Sequence, residues 1–430
     1  ASGVSRTRLV LARSAAFGLV LLIACLGSVL GIVAVAPIVH QDPNFVGEMG
    51  KALSMAAGLF AGYALALLIS QLPAERQTAT ALGVGALVLL LVVNGIADTI
   101  DSAAWIGFIS PYHWMETTSS AAPGGRFDLA GTVGLAVAAV LFIALAIPIF
   151  QRRDIGSGLF RWGRHAPAAV RVASRNVMMR FPFTEGLWEQ RVGLGAWAVG
   201  TLVLGSLMVS VTRSMVDALF SDPTLATLFR RASPGPAYAS MLGLTWFGTA
   251  LLLLAGYAVV QVSRWSTQDQ EGRVEMLLTA PISRTRVVIE RALEFAVASL
   301  AIVIAGYIGV ASAAPGSGLN LDSGHLFTAS ALLWPFALAF GGLGVAVASR
   351  WPRIAVPFLA AFAFVSYILG DLGPLFKSPD WAQNLSVFHL YGSPLVQSGS
   401  WTAALSMSLI FLVGFGLALV LMRSRDVSSV

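Results

Sequence analysis

Long, nearly charge-free apolar runs dominate this sequence, and they leave few folds open. They cover residues 15–39, 52–70, 80–99, 130–150, 193–211, 240–262, 287–311, 326–348, 355–372 and 403–422. A helix needs ~20 such residues to cross a bilayer, whereas a barrel strand shows ~10 residues of alternating polarity. These runs are continuous, so they predict about ten transmembrane helices in an all-α polytopic membrane protein. Only 11% of the 430 residues are charged, against about 25% in a soluble domain, so no large soluble domain fits. The lone cysteine, Cys25, lies inside an apolar run and excludes an intrachain disulfide framework.

The arginines set the expected orientation. Of 27 basic residues only Lys51 and Lys377 are lysines. With the N-terminus inside, inside segments carry 21 of the 27 and outside segments 6. That bias follows the positive-inside rule and puts both ends of this chain on the inner side. Because the arginines cluster at the ends of apolar runs, the net charge of +6 points to membrane topology and not to nucleic acid.

The chain also repeats itself. Ser5-Arg6-Thr7-Arg8 returns as Ser283-Arg284-Thr285-Arg286. Pro73 and Pro352, Asp98 and Asp371, Trp105 and Trp381, His113 and His389, and Arg153-Asp154 and Arg425-Asp426 follow in the same order. Six predicted helices fit one period, so the halves are parallel repeats, unlike the inverted repeats of many secondary transporters. The first half lacks two helices, and repeat symmetry predicts about 120 further residues before Ala1. The expected domains are 1–155 (last four helices of the first half), 156–192 (linker and interfacial helix) and 193–430 (six helices).

Two inside segments stand out. The first runs Gln268-Asp-Gln-Glu-Gly-Arg-Val-Glu-Met-Leu-Leu-Thr-Ala-Pro-Ile-Ser-Arg-Thr-Arg286. Glu271 and Glu275 lie one helical turn apart, Leu277 and Leu278 make an apolar knob, Pro281 ends the short helix, and Ser283 can cap the next. Such a segment suits docking on a soluble partner; the plainer reading is an inter-helix loop. The second, 151–191, mixes eight arginines with Trp162, Val170, Val172, Val177, Met178 and Met179. It suits a helix lying in the headgroup plane, or else a linker rich in inside charge.

The 269–284 segment resembles the coupling helix of ABC-2-type exporter permeases, and the fused two-half layout is similar to the actinobacterial antibiotic and multidrug exporters of the tetronasin type. The resemblance implies an ATPase-coupling set of Asp269, Glu271, Arg273, Glu275, Leu277, Leu278, Pro281, Ser283 and Arg284. Ser5 and Arg6 are its remnant in the first half. It implies an elbow helix in 151–191, with Glu185 and Glu189 as a second ATPase contact. It further implies a multi-pass protein of a bacterial cytoplasmic membrane that pairs with two copies of a cytoplasmic ABC ATPase and moves a small amphipathic substrate among membrane lipid. ATP and Mg2+ would belong to the partner.

The rest of the sequence fits that implication. Gly47-Glu-Met-Gly50-Lys51-Ala52 fails as a phosphate loop, having Phe45 at the first glycine position and Ala52 where Ser or Thr is needed. No metal-protease motif, CxxC or nucleophile elbow occurs, so neither catalytic nor metal-ligating residues, nor a bound cofactor, are expected in this chain. His113, Trp114, Phe388 and His389 lie in outside loops that the resemblance reads as an extracellular gate. The residues themselves favour His113 and His389 as interfacial hydrogen-bonding groups. Phe60, Tyr63, Trp246, Phe247, Phe336, Phe340, Phe362 and Tyr367 are candidates to line a pathway for apolar cargo. Glu294 reads as an acid snorkelling to the inner interface, and Asp98 and Asp371 as hydrated acids at outer helix ends. An ion-coupled secondary transporter is the alternative, although its charged midplane residues and inverted repeats are not evident. A membrane-embedded lipid enzyme would need a polar catalytic cluster that the spans lack.

Overall fold

The computed structural model describes residues 5–36, 44–73, 76–99, 101–122, 124–152, 182–221, 226–227, 229, 236–270, 272, 283–318, 321–373, 378–397 and 399–424. Among them there is no strand, and nine helices are long and apolar enough to cross a membrane. The tenth expected span, 80–99, is helical within Arg76–Thr99, but its described apolar run, Gly85–Gly95, is shorter than a span. The protein is an all-α, multi-pass membrane protein. The chain divides into two compact units, Ala1–Val172 and Ala173–Val430.

The first unit holds α1 (Arg6–Val35), α2 (Phe45–Ile69), α3 (Arg76–Thr99), α4 (Pro111–Glu116) and α5 (Leu129–Arg152), with a 3-10 segment at Asp101–Ile109 before α4. Ser5, Asn44 and Ser110 cap α1, α2 and α4 by accepting from backbone N–H groups that the helix leaves unpaired. α2 packs on α1, α3, α4 and α5. Its buried face is made of small residues, among them Ala61 and Ala64, which meet Leu135, Ala139 and Ile143 of α5. Small residues let helices approach closely where no water is present to drive association.

The second unit holds α6 (Pro182–Glu189), α7 (Arg191–Ser221), α8 (Ala237–Gln270), α9 (Arg284–Ala313), α10 (Ser323–Arg350), α11 (Pro352–Tyr367), α12 (Val387–Tyr391) and α13 (Trp401–Arg423). α10 is the hub, touching α8, α9, α11, α12 and α13, and 72% of its apolar window is buried. It crosses α13 backbone to backbone: a Cβ built on Gly342 would lie 2.8 Å from Phe411 Cα, and one on Gly414 would lie 2.6 Å from the Gly342 carbonyl carbon. α8 contains a π-helical turn at Gly243–Phe247, and α11 continues into another at Ile368–Leu372. Outward faces carry large apolar side chains, such as Leu19, Val20 and Ile23 on α1 and Leu405, Leu409 and Leu412 on α13. Hydrocarbon is the solvent such faces require.

Two helices run past their expected ends for a physical reason. α9 starts at Arg284 and not at residue 287, because Ser283 Oγ caps it by accepting from Arg286 N–H at 3.2 Å. α8 continues eight residues beyond 262 because Arg264 and Asp269, which end an apolar run in the sequence, find buried partners on other helices.

Several contacts recur in both units. Arg6 Nη1 donates to the Phe150 and Gln151 carbonyls at 3.3 and 3.2 Å, and Arg284 Nη1 donates to the Arg423 carbonyl at 3.2 Å. In each case the helix opened by the Ser-Arg-Thr-Arg element is tied to the last helix of its unit. Ser110 Oγ donates to the Leu90 carbonyl and Ser386 Oγ to the Ser366 carbonyl, both residues of the second pair lying 276 positions after those of the first.

Candidate functional site

The helices that flank segment 271–282 meet in a buried charge cluster. Near the end of α8, the Asp269 carboxylate has no exposed surface; it accepts from Arg291 Nη2, two turns into α9. Farther along, Arg264 of α8 donates from Nη1 to Glu294 Oε1 of α9 at 3.1 Å and to Gln190 Oε1 at 2.9 Å. Its Nη2 lies 3.7 Å from Glu189 Oε2 at the end of α6. Gln261 Nε2 joins the set by donating to Gln190 Oε1 at 2.5 Å and to the Tyr257 hydroxyl at 2.7 Å. Tyr257 stacks on Phe295, and Trp265 meets the same ring edge-on. Burying these charges without partners would cost several kcal/mol each, so the three helices are held in one register by mutual neutralisation. Gly186 of α6 allows the approach: a Cβ there would sit 2.9 Å from Glu294 Oε2.

Glu294 is thus only 8% exposed and does not reach out to an interface. It turns inward because Arg264 offers it a cation. Glu189, expected as a partner contact, is 40% exposed and faces Arg264; Glu185 is half-buried on α6. Asp269, Ser283 and Arg284 bracket the motif, whereas Glu271, Arg273, Glu275, Leu277, Leu278 and Pro281 lie outside the described residues. The arginine-rich linker through residue 181, with Trp162, Val170, Val172, Val177, Met178 and Met179, also lies outside them. In the first unit Ser5 accepts from Arg8 N–H at 3.3 Å, and the Arg6 guanidinium also lies over the Phe150 ring.

At the other end of the second unit, gate and pathway candidates converge. Phe388 of α12 packs 5.0 Å from Phe336, 5.9 Å from Phe340 and 5.5 Å from Tyr367, measured between ring centroids, and Phe340 meets Phe362 at 5.6 Å. Phe336 and Phe340 have no exposed surface, so these rings pack into a closed aromatic cluster. Trp246 and Phe247, in the π turn of α8, are also buried, and Phe247 stacks near Tyr391. His389 donates its backbone N–H to Ser386 Oγ and lines a polar cavity of about 250 Å³ with Asn384, Gln397 and Thr402.

In the first unit the rings are arranged differently. His113 meets Phe108 edge-on at 5.0 Å, and Trp114 Nε1 donates to the Phe108 carbonyl at 2.9 Å. Tyr63 stacks between Phe17 and Phe60 and shares a 3.3 Å hydrogen bond with Ser14. Asp98 and Glu116 both accept from Asn94 Nδ2. Asp371 lies in the π turn that follows α11.

Arg264, Gln190, Gln261 and Arg291 are the members of the charge cluster that sequence reasoning passes over. The available signal was Glu294, an ionisable residue within a span, whose partner lies 30 residues earlier. No curated protein matches the chain. A family model does match, over residues 180–423, and it describes the multidrug efflux system permease Rv1217c, C-terminal domain. The match takes in α6 through α13 and more than half of the 430 residues, and the chain therefore belongs to that multidrug efflux permease family.

Proposed function

We propose that this efflux permease is the transmembrane subunit of an ABC-2-type exporter of the fused, tetronasin kind. It moves amphipathic or hydrophobic compounds, such as drugs, antibiotics or lipids, out of the cytoplasm or inner leaflet of a bacterial cytoplasmic membrane. Two copies of a separate ABC ATPase hold ATP and Mg2+ on the cytoplasmic side, where both ends of this chain also lie. The observation that carries the reading is the charge cluster joining α6, α8 and α9. It grips both flanks of segment 271–282, whose Glu271, Arg273, Glu275, Leu277, Leu278 and Pro281 make the docking motif.

A push delivered to that segment reaches α8 through Asp269 and α9 through Arg291, and Arg264 carries it on to α6. Because buried ion pairs resist separation, the three helices move as one body against α10. The aromatic plug around Phe388 then opens or closes as that body tilts, with His389, and in the first half His113 and Trp114, at the outer gate. Charge-poor spans suit apolar cargo. The parallel six-plus-six layout is supported by the recurring serine caps and arginine contacts of the two units.

Affinity purification of the full-length protein, followed by identification of co-purifying proteins and an ATPase assay, tests this. An ATPase with phosphate-loop motifs at about two copies per permease, lost in E271K/E275K, is the expected result. A single-subunit preparation that moves cargo along an ion gradient without ATP would replace the reading with a secondary transporter.

A further inference from the structure

The two units treat one and the same place in their folds differently. In the second unit, the space between α10, α11, α12 and α13 is filled by Phe336, Phe340, Tyr367 and Phe388. The corresponding space of the first unit, between α2, α3, α4 and α5, is a partly open cavity of about 240 Å³, with Phe108 61% exposed at its mouth. The two are matched by Ser110 and Ser386, which cap α4 and α12 and donate to carbonyls 276 positions apart. Two residues after the capping serine, the second unit has Phe388, 6% exposed and packed inward. The first has Tyr112, which stays outside the cavity wall.

The walls include Ala61 and Leu65 of α2, Phe108, Trp114 of α4, and Gly134 and Ala138 of α5. They are apolar, and the polar groups at their edge are already engaged: Ser110 with the Leu90 carbonyl and the Trp114 indole with the Phe108 carbonyl. An apolar cavity of roughly 150 Å³ takes up a benzene-sized ring, so this one has room for a larger planar ring system. The faces and edges of Phe108 and Trp114 favour aromatic and cationic aromatic guests.

We propose that this first-unit cavity is a binding subsite for the planar aromatic portion of an exported compound, whereas in the second unit Phe388 and its neighbours take the apolar space and leave the polar cavity beside His389. The inference rests on the efflux reading, and it makes the two halves functionally unequal.

Gly134 supplies a clean test, because a Cβ added there meets no atom within 4 Å. Leucine at a helix-interior glycine also raises helix preference, so G134L fills the cavity without weakening the fold. Gly27 of α1, equally unobstructed and away from the cavity, serves as the control. In cells carrying the whole exporter, G134L should slow ethidium efflux about tenfold, the loss expected when one ring can no longer be buried. G27L should match the wild type. In addition, the C25A/G134C protein in phosphatidylethanolamine–phosphatidylglycerol vesicles should react with a maleimide more slowly when ethidium is present.

Unchanged efflux in G134L, or labelling indifferent to ethidium, overturns the proposal. Labelling suppressed by the vesicle lipid itself, relative to detergent, and indifferent to ethidium assigns the cavity to an acyl chain and overturns it as well. Ethidium protection with efflux that needs no ATP would keep the subsite and discard the ABC reading, so the two failures remain separable.

Discussion

Replacing Arg264 by methionine should be far more damaging than neutralising the carboxylate it shares with α6. The Arg264 side chain is 20% exposed and lies between the side chains of Glu294, 10% exposed, and Glu189, 40% exposed. R264M leaves two carboxylates facing one another, one of them enclosed by α9 and by Gly186 of α6. Removing one member of a buried pair costs about 3–5 kcal/mol, which corresponds to a hundredfold to a few thousandfold in the folded-to-unfolded ratio. E189Q removes the outer, 3.7 Å contact, a half-exposed pair of the kind that contributes below about 1 kcal/mol. E294Q introduced into R264M should recover much of the loss, since no unpaired charge then remains inside. Unfolding of the detergent-solubilised chain, followed by tryptophan fluorescence, ranks the four proteins. If R264M and E189Q unfold alike, or if E294Q gives R264M no relief, the cluster is hydrated and the argument from burial is refuted.

Three further outcomes follow from the same geometry. G342A places a methyl group against the Phe411 backbone at 2.8 Å and should destabilise the α10–α13 crossing by about 1–3 kcal/mol, visible as loss of monodisperse protein on size exclusion. S386A deletes both the α12 cap and the bond to the Ser366 carbonyl, a loss of about 1 kcal/mol or more, and should speed hydrogen exchange across residues 386–391. The Asp322 carboxyl titrates below its ordinary value because His325 N–H donates to it, and Asp128 does so because Gly131 N–H donates to it. A carboxyl depressed in this way stabilises the fold above its unfolded value of about 4 and loses that effect as pH falls through the folded value. D322N and D128N should therefore melt below the wild type at neutral pH and converge with it in acid.

Much of this fold is readable from the residues alone, because a bilayer demands continuous apolar runs and serine announces a helix start. Ser283 caps α9 as its sequence context predicts, and Ser5 caps α1 in the same way. Side-chain direction is what the sequence withholds. Composition offers Phe336 and Phe340 as pathway residues; that they interlock with Phe388 is not legible, because nothing along a single helix foretells which ring another element will meet. Arg264 counted only as one more inner charge because its partners lie 30 to 75 residues away. The π turns at Gly243–Phe247 and Ile368–Leu372 are likewise silent, since one extra residue in a helical turn leaves no periodic mark in an apolar run.

The arginine contacts that tie the Ser-Arg-Thr-Arg helix of each unit to that unit's last helix also set a timetable for synthesis. Arg6 precedes its acceptor carbonyls by 144 and 145 residues, and Arg284 precedes its own by 139. Ribosomes add about 5–20 residues per second, so each arginine leaves the ribosome on the order of ten to thirty seconds before the carbonyl it will meet. During that interval the early helices sit in the bilayer as a partial bundle, and neighbouring water or lipid phosphate must serve the guanidinium. The last helix then arrives as a latch. A chain stalled before Gln151 or Arg423 leaves that half inserted but unlatched, in the form a membrane quality-control protease would meet.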